Sequence, residues 1–164
     1  MKTDLMPDLT AKRLYDVDVE ALAARGVRVL LLDLDNTLTK WKVNIVDDAT
    51  RLWVARAAAR GLTMCIVSNS NGTRAGIVAG MLGIEYMKNA AKPFPGGIRR
   101  AMRQMGSDER DTAMIGDQLY TDILGGKRAG IFTVLVRPID RKEFIWTQFV
   151  RIFEHRKLKR LGLR

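Results

Sequence analysis

Two carboxylates stand two residues apart in Asp33-Leu34-Asp35, directly after the apolar run Val29–Leu32. Strand side chains alternate between faces, so residues two apart share one, and Asp33 and Asp35 point the same way if the strand persists. Like charges this close call for a cation or a shared proton. On its own the pair reads equally well as a strand ending in a polar turn, with Asn36-Thr37 leading the chain away. Three more polar insertions each follow a predicted strand: Ser68-Asn69, Lys92, and Asp117 with Asp122. Each has a bland alternative. Ser68 could open a turn, Lys92 could be a solvated loop lysine, Asp117 a turn acid, Asp122 a helix N-cap and Thr37 a backbone cap.

The elements that must position these residues follow from hydrophobic patterning. Apolar runs of strand length cover Val27–Leu34, Leu62–Val67, Ile84–Met87, Thr112–Ile115 and Ile131–Val136. Helical stretches of about ten residues alternate with most of them: Ala49–Ala59, Thr73–Met81, Gly96–Met105 and Asp122–Ala129. Strands alternating with helices imply βαβ units and a parallel sheet, here of five strands, with helices on both faces. In such a sheet ligands bind at the carboxyl ends of the strands. Strand order therefore gathers all four insertions at one edge. The chain opens on a polar lead-in containing Pro7, with Asp16 and Asp18 as turn or capping residues, and a helical turn follows near Val19–Arg25, ended by Gly26.

At 164 residues, with 47% hydrophobic and 28% charged content, the chain is expected to form one domain over residues 1–136, with its core at 27–136 and a basic extension at 137–164. The single cysteine, Cys65, lies inside an apolar run, which excludes a disulfide framework or cysteine metal cluster and predicts a core thiol. No early stretch reads as a signal peptide, and no apolar run approaches the ~18–20 residues of a membrane span. The expected address is the cytoplasm. Net charge is +10, of which +6 falls between Arg137 and Arg164. That asymmetry points to an anionic partner.

Taken together the four insertions resemble the motifs of the haloacid dehalogenase (HAD) superfamily of phosphotransferases: Asp33-Leu-Asp35-Asn-Thr37, Ser68 in Val-Ser-Asn-Ser, Lys92, and Gly116-Asp117-Gln-Leu-Tyr-Thr-Asp122. Each motif is weak alone, and the order makes the joint signal strong. The resemblance implies a three-layer Rossmann-like fold and a phosphatase. In it Asp33 is the nucleophile that forms an aspartyl-phosphate. Asp35 is the proton donor and acceptor. Mg²⁺ is held by Asp33, Asp117 and the Asp35 backbone carbonyl. Lys92 supplies fixed charge to phosphoryl oxygens. Ser68, with backbone N–H groups near Asn69, binds the remaining oxygens, while Asp122 and Thr37 support the site from behind. Asn71, Arg74 and Trp41 are assigned to surface or core packing, and His155 to solvent. Lys92-Pro93-Phe94 also resembles the lysine motif of receiver domains. There the lysine follows the last strand, whereas here Gly116-Asp117 and another strand are still to come.

Thirty-three positions separate Asp35 from Ser68, and 24 separate Ser68 from Lys92. One helix and one strand fill each interval, so no large cap domain fits and the site should be open unless an oligomer covers it. More finely, the chain resembles the class IIIA group known as the YqeG family. The features are Leu5-Met-Pro7, Val17-Asp-Val19, Arg25-Gly26-Val27, Leu32-Asp33-Leu-Asp35-Asn-Thr-Leu38, Val67-Ser-Asn-Ser70, Lys92-Pro93 and Ile115-Gly-Asp117-Gln-Leu-Tyr-Thr-Asp-Ile123. Eukaryotic relatives of that family dephosphorylate phosphatidylglycerophosphate, which makes a lipid phosphate the implied substrate. Ile145, Phe149, Ile152 and Phe153 share a helical face ahead of the basic cluster Arg156–Arg160. Such a helix suits packing against the sheet or a second subunit, and it also suits the anionic inner face of a membrane. Two other functions stay open: a phosphatase of a soluble nucleotide or sugar phosphate, and a non-enzymatic basic module for RNA or a protein partner. Clustered carboxylates and the lack of an aromatic-plus-basic RNA motif weigh against the last.

Overall fold

A computed structural model describes residues 5–140 and 156–162. Its centre is β2 (Val29–Leu32), whose four side chains are each at most 3% exposed. A strand buried on both faces needs apolar residues at every position, which this run supplies. β2 pairs in parallel with β3 (Thr63–Val67) on one side and β5 (Thr112–Gly116) on the other. β4 (Glu85–Met87) extends the sheet beyond β3, and β6 (Phe132–Val136) extends it beyond β5.

Among the described residues the sheet has six strands, not the five expected from the sequence, in the order β1 (Leu9–Ala11), β6, β5, β2, β3, β4. The additional strand, β1, adds to β6 in parallel. It lies in the stretch read as a polar lead-in. Leu9 and Thr10 are exposed, so the sequence carries no apolar run there. Its identity comes from a neighbour 125 residues away: Asp8 accepts hydrogen bonds from the backbone N–H and the hydroxyl of Thr133 at 2.8 and 2.9 Å.

Alternation along the strands divides the core in two. Leu30, Leu32, Met64, Ile66, Ala113 and Ile115 pack on α1 (Val19–Ala24), α2 (Asp48–Ala59) and α3 (Arg74–Leu82). Val29, Leu31, Cys65, Val67 and Met114 pack on α4 (Pro95–Met105) and α5 (Leu124–Ala129). Cys65 is the core thiol expected, and burial pushes its pKa up to about 12. α2 shows how the sequence makes its elements. Asp47 caps it by accepting from Thr50 N at 2.7 Å, and Thr50, Trp53, Val54 and Ala57 form the buried stripe of an amphipathic helix. Asp18 caps α1 in the same way, accepting from Ala21 N at 3.0 Å.

The interval between Asp35 and Ser68 is filled by a loop, α2 and β3, and that between Ser68 and Lys92 by α3 and β4, leaving no cap domain at either point. Residues 156–160 are helical, and Leu158 is buried against Leu119, Ile123 and Leu135. The predicted apolar face at 145–153 and His155 lie outside the described residues. Among the described residues no helix is long and apolar enough to cross a membrane.

Candidate active site

Every strand is parallel, so the strand ends share one rim. Along the middle of that rim stand Asp117 after β5, Asp33 after β2 and Ser68 after β3. The chain leaves β2 in one direction for β3 and β4, then returns to β5 on its other side. That reversal opens the crevice in which α/β sheets hold ligands.

Asp33 is tied to β5 by its backbone N–H, which donates to Ile115 O at 2.9 Å. The chain then turns tightly. Asn36 takes a left-handed φ of 63° and donates its N–H to Thr39 O at 2.7 Å. This turn buries Thr37, whose hydroxyl lies 3.5 Å from Asp117 Oδ1.

Lys92 is the hub. Its side chain is 2% exposed, and its Nζ donates to Asp33 Oδ1 and Asp122 Oδ1, both at 2.7 Å. Burial works against the ammonium charge, but the two carboxylates together outweigh it and hold the pKa above that of an ordinary lysine. The Lys92 backbone is held by Asn69, whose amide accepts from Lys92 N at 2.7 Å and donates to Lys92 O at 2.9 Å. The Asn69 side chain is thus engaged in positioning Lys92, which leaves the nearby backbone as what that residue can offer a ligand. Ser68 is buried, and its hydroxyl accepts from Ser70 N at 3.2 Å.

Asp122 does not cap a helix. It sits inside a π-helical turn, Leu119–Ile123, ahead of α5. Oδ2 accepts from Gln118 N at 3.1 Å while Oδ1 receives Lys92. A Cβ at position 116 would come within 2.2 Å of Asp122 Oδ2, so only glycine admits this carboxylate against the end of β5. Likewise a Cβ at position 97 would meet Ala90 O at 2.0 Å, so Gly97 lets α4 close on the loop that carries Lys92.

Asp33, Asp117 and Asp122 each offer an oxygen, all within 4.8 Å of one another. With Lys92 among them the cluster carries a formal charge of −2 when all four groups are ionised. Burial, then the charge of Asp33, pushes the Asp122 pKa up to about 6, even though Lys92 pulls it down. Excess negative charge and hard oxygen donors in a largely buried site fit a divalent cation such as Mg²⁺.

The Asp35 carboxylate stands apart from this cluster. It forms an ion pair with Arg74, the first residue of α3. The same guanidinium donates to Asn44 Oδ1 at 3.0 Å, Thr39 Oγ1 at 3.2 Å and Val43 O at 2.9 Å. Arg74, assigned to packing from the sequence, therefore fastens Asp35 and the loop after it. Nothing local in the sequence marks it, because its five contacts come from residues 30 to 39 positions upstream. Trp41 is held in another way, with the Lys42 ammonium 4.4 Å above its ring.

The chain is similar to known phosphatases in sequence and in fold. Residues 89–138 match a hydrolase-like family model described as HAD-hydrolase-like. The chain is 35% identical to the probable phosphatase YqeG of Bacillus subtilis, over 98% of this chain and 94% of that protein. It is 30% identical to the chloroplastic/mitochondrial phosphatidylglycerophosphate phosphatase 1 of Arabidopsis thaliana over 95% of this chain, which spans about half (48%) of that longer relative. In fold it is similar to the cobalt-bound deoxy-D-mannose-octulosonate 8-phosphate phosphatase of Haemophilus influenzae, with a TM-score of 0.55, 16% identity, and 68% of this chain and 69% of that one covered. The chain belongs to the YqeG family of the HAD superfamily and is a phosphatase of the HAD type, a phosphoric monoester hydrolase.

Proposed function

We propose that Asp33 carries the phosphoryl group through the reaction as an aspartyl-phosphate, that Mg²⁺ is the cation of the site, and that the substrate is phosphatidylglycerophosphate, released as phosphatidylglycerol. The observation that carries the covalent reading is the double ion pair of Lys92. It fixes Asp33 through Oδ1, and the second oxygen is the one assigned to attack. The new bond joins that oxygen to phosphorus, and the bond from phosphorus to the alkyl oxygen breaks. Asp35 gives the departing alkoxide its proton. A water then attacks phosphorus, Asp35 takes the proton back, and Asp33 returns to a carboxylate as inorganic phosphate leaves.

Lys92 faces the phosphoryl oxygens as a preorganised cation that needs no rearrangement when charge shifts. The Ser68 hydroxyl and the backbone near Asn69 take the other oxygens. Mg²⁺ would be held by Asp33, Asp117 and the Asp35 backbone carbonyl, and would neutralise charge between carboxylate and phosphate. Asp122 and Thr37 hold Lys92 and Asp117 in place.

The lipid substrate is supported by the Arabidopsis relative's name, by the lack of a cap at the two points where one could be inserted, and by the tail. Residues 156–160 bury Leu158 while Arg156, Lys159 and Arg160 face outward, a basic surface suited to anionic headgroups. Phosphate release from phosphatidylglycerophosphate in mixed micelles, set against soluble sugar and nucleotide phosphates, tests the assignment. The lipid should be turned over with the highest kcat/KM. Turnover confined to soluble esters, with no sedimentation on anionic vesicles, contradicts it.

A further inference from the structure

Beside the carboxylate cluster lies a cavity of about 160 Å³. Asp117 lines it from the reaction side, and Lys12, Arg137 and Leu158 line it from the other. We propose that Lys12 and Arg137 form a second anion subsite, selecting phosphate monoesters that carry a further phosphate or phosphodiester on the same small alcohol. The proposal rests on the phosphatase reading above and names what else the substrate must contain.

The placement follows from the sheet. Lys12 follows the end of β1 and Arg137 follows the end of β6, so both stand on the same rim as Asp117 and Asp33. Arg137 N donates to Lys12 O at 3.3 Å, which sets the two residues side by side. β6 lies two strands from β2, roughly 10 Å across the sheet at the usual ~4.8 Å spacing. That gap is small enough for one compact polyol to bridge once the long cationic side chains reach inward.

The charges there differ from those elsewhere on the rim. Lys92 and Arg74 are each committed to carboxylates. Among the described residues no ion pair engages Lys12 or Arg137, and both are exposed. Arg13 braces them, its guanidinium donating to Arg137 O at 3.3 Å and Pro138 O at 2.7 Å. The next residues cross the rim toward the Asp35 turn, where Ile139 N donates to Asn36 O at 3.0 Å.

The far wall is the C-terminal basic helix. Leu158 is 5% exposed, held by Leu119 and Ile123 of the π-helical turn and by Leu135 of β6. It therefore anchors a segment rich in lysine and arginine beside the cavity. Two cations that form no ion pair among the described residues, beside room for an anion and its waters, match phosphate recognition by charge-assisted hydrogen bonds. The second anion could belong to a lipid headgroup or to a soluble bisphosphate.

The test compares wild type with the double variant Lys12→Ala/Arg137→Ala on three substrates. p-Nitrophenyl phosphate carries one anion. Deacylated glycerophosphoglycerophosphate carries two and is soluble. Phosphatidylglycerophosphate in mixed micelles carries two at an interface. The expected result is a KM raised about 10-fold or more for both two-anion substrates, with kcat little changed and p-nitrophenyl phosphate turnover within about twofold of wild type. Lys12→Arg/Arg137→Lys should restore most of the loss. An equal fall on all three substrates, a fall in the micelle arm alone, or no change for the two-anion substrates overturns the subsite. Failure of wild type to release phosphate from any monoester would instead remove the phosphatase reading, and the subsite with it.

Discussion

Asp33 and Asp35 sit two residues apart, and the protein treats them differently. Asp33 belongs to an enclosed network. Its partner Lys92 is 2% exposed and is shared with Asp122, itself 1% exposed. Asp35 pairs at the surface with Arg74, the two side chains 29% and 23% exposed. The enclosed half is assembled from the end of β2, the loop before α4 and the π-helical turn before α5. The open half ties the Asp35 turn to the first residue of α3. A nucleophile profits from being held in one geometry. An acid that must also act as a base profits from access to water and a partner it can release. The contrast between a locked pair and a releasable one matches the two roles proposed.

That contrast can be broken from either side. The largest effect is expected from Lys92→Met. Removing one member of a buried pair leaves two carboxylates facing each other, which should cost about 3–5 kcal/mol. Phosphate release should fall by at least ~10²–10³-fold, as when a single preorganised donor is lost. Chemical denaturation and steady-state kinetics on one preparation read both. A Lys92→Met protein as stable as wild type would show that the enclosure is not held by this charge.

Asp35→Asn should divide the two readouts. Turnover should fall by ~10²–10⁴-fold, the range for losing a general acid–base group. Stability should move by no more than ~1 kcal/mol, because the pair with Arg74 is partly exposed. A large stability loss would mean that Asp35 is a structural staple.

A smaller effect concerns pH in metal-free protein. The Asp122 pKa stands at about 6 when folded, above its ordinary 3.8. Between those values the folded protein holds a proton that the unfolded chain has released. Asp122 therefore favours folding most below about pH 4, and that contribution is lost as pH rises through 6. In EDTA, wild type should lose stability over that window relative to Asp122→Asn, and Mg²⁺ should restore part of it at pH 7. Parallel stability profiles for the two proteins, with or without Mg²⁺, would contradict the charge assigned to this cluster.

How much of this was legible in the sequence depended on where the determining contacts lie. Strand ends were readable, because Val29–Leu32 and Met64–Val67 are apolar at every position and the polar residues after them stand out. Lys92, Asp117 and Asp122 could be placed at the same rim by strand order alone. What escaped were features fixed by distant partners. Leu9–Ala11 becomes a strand only through β6. Arg74 looks like any helix-opening arginine until the loop after Asp35 folds back on it. Asn69 entered the site only through the backbone N–H groups near it, yet its amide grips the backbone of Lys92, 23 positions on. Asp122 could as well have capped a helix, and burial beside Lys92 and Gly116 gives it a different place.

The central claim is that phosphorus becomes bonded to Asp33. Acid-quenching the enzyme during turnover of a phosphate monoester, followed by mass spectrometry of the peptide that contains Asp33, tests it most directly. The expected result is a phosphoryl group on Asp33 that hydroxylamine removes and that Asp33→Asn never acquires. A phosphoryl group on another residue, or an Asp33→Asn protein that still turns over substrate at near-normal rates, would contradict it.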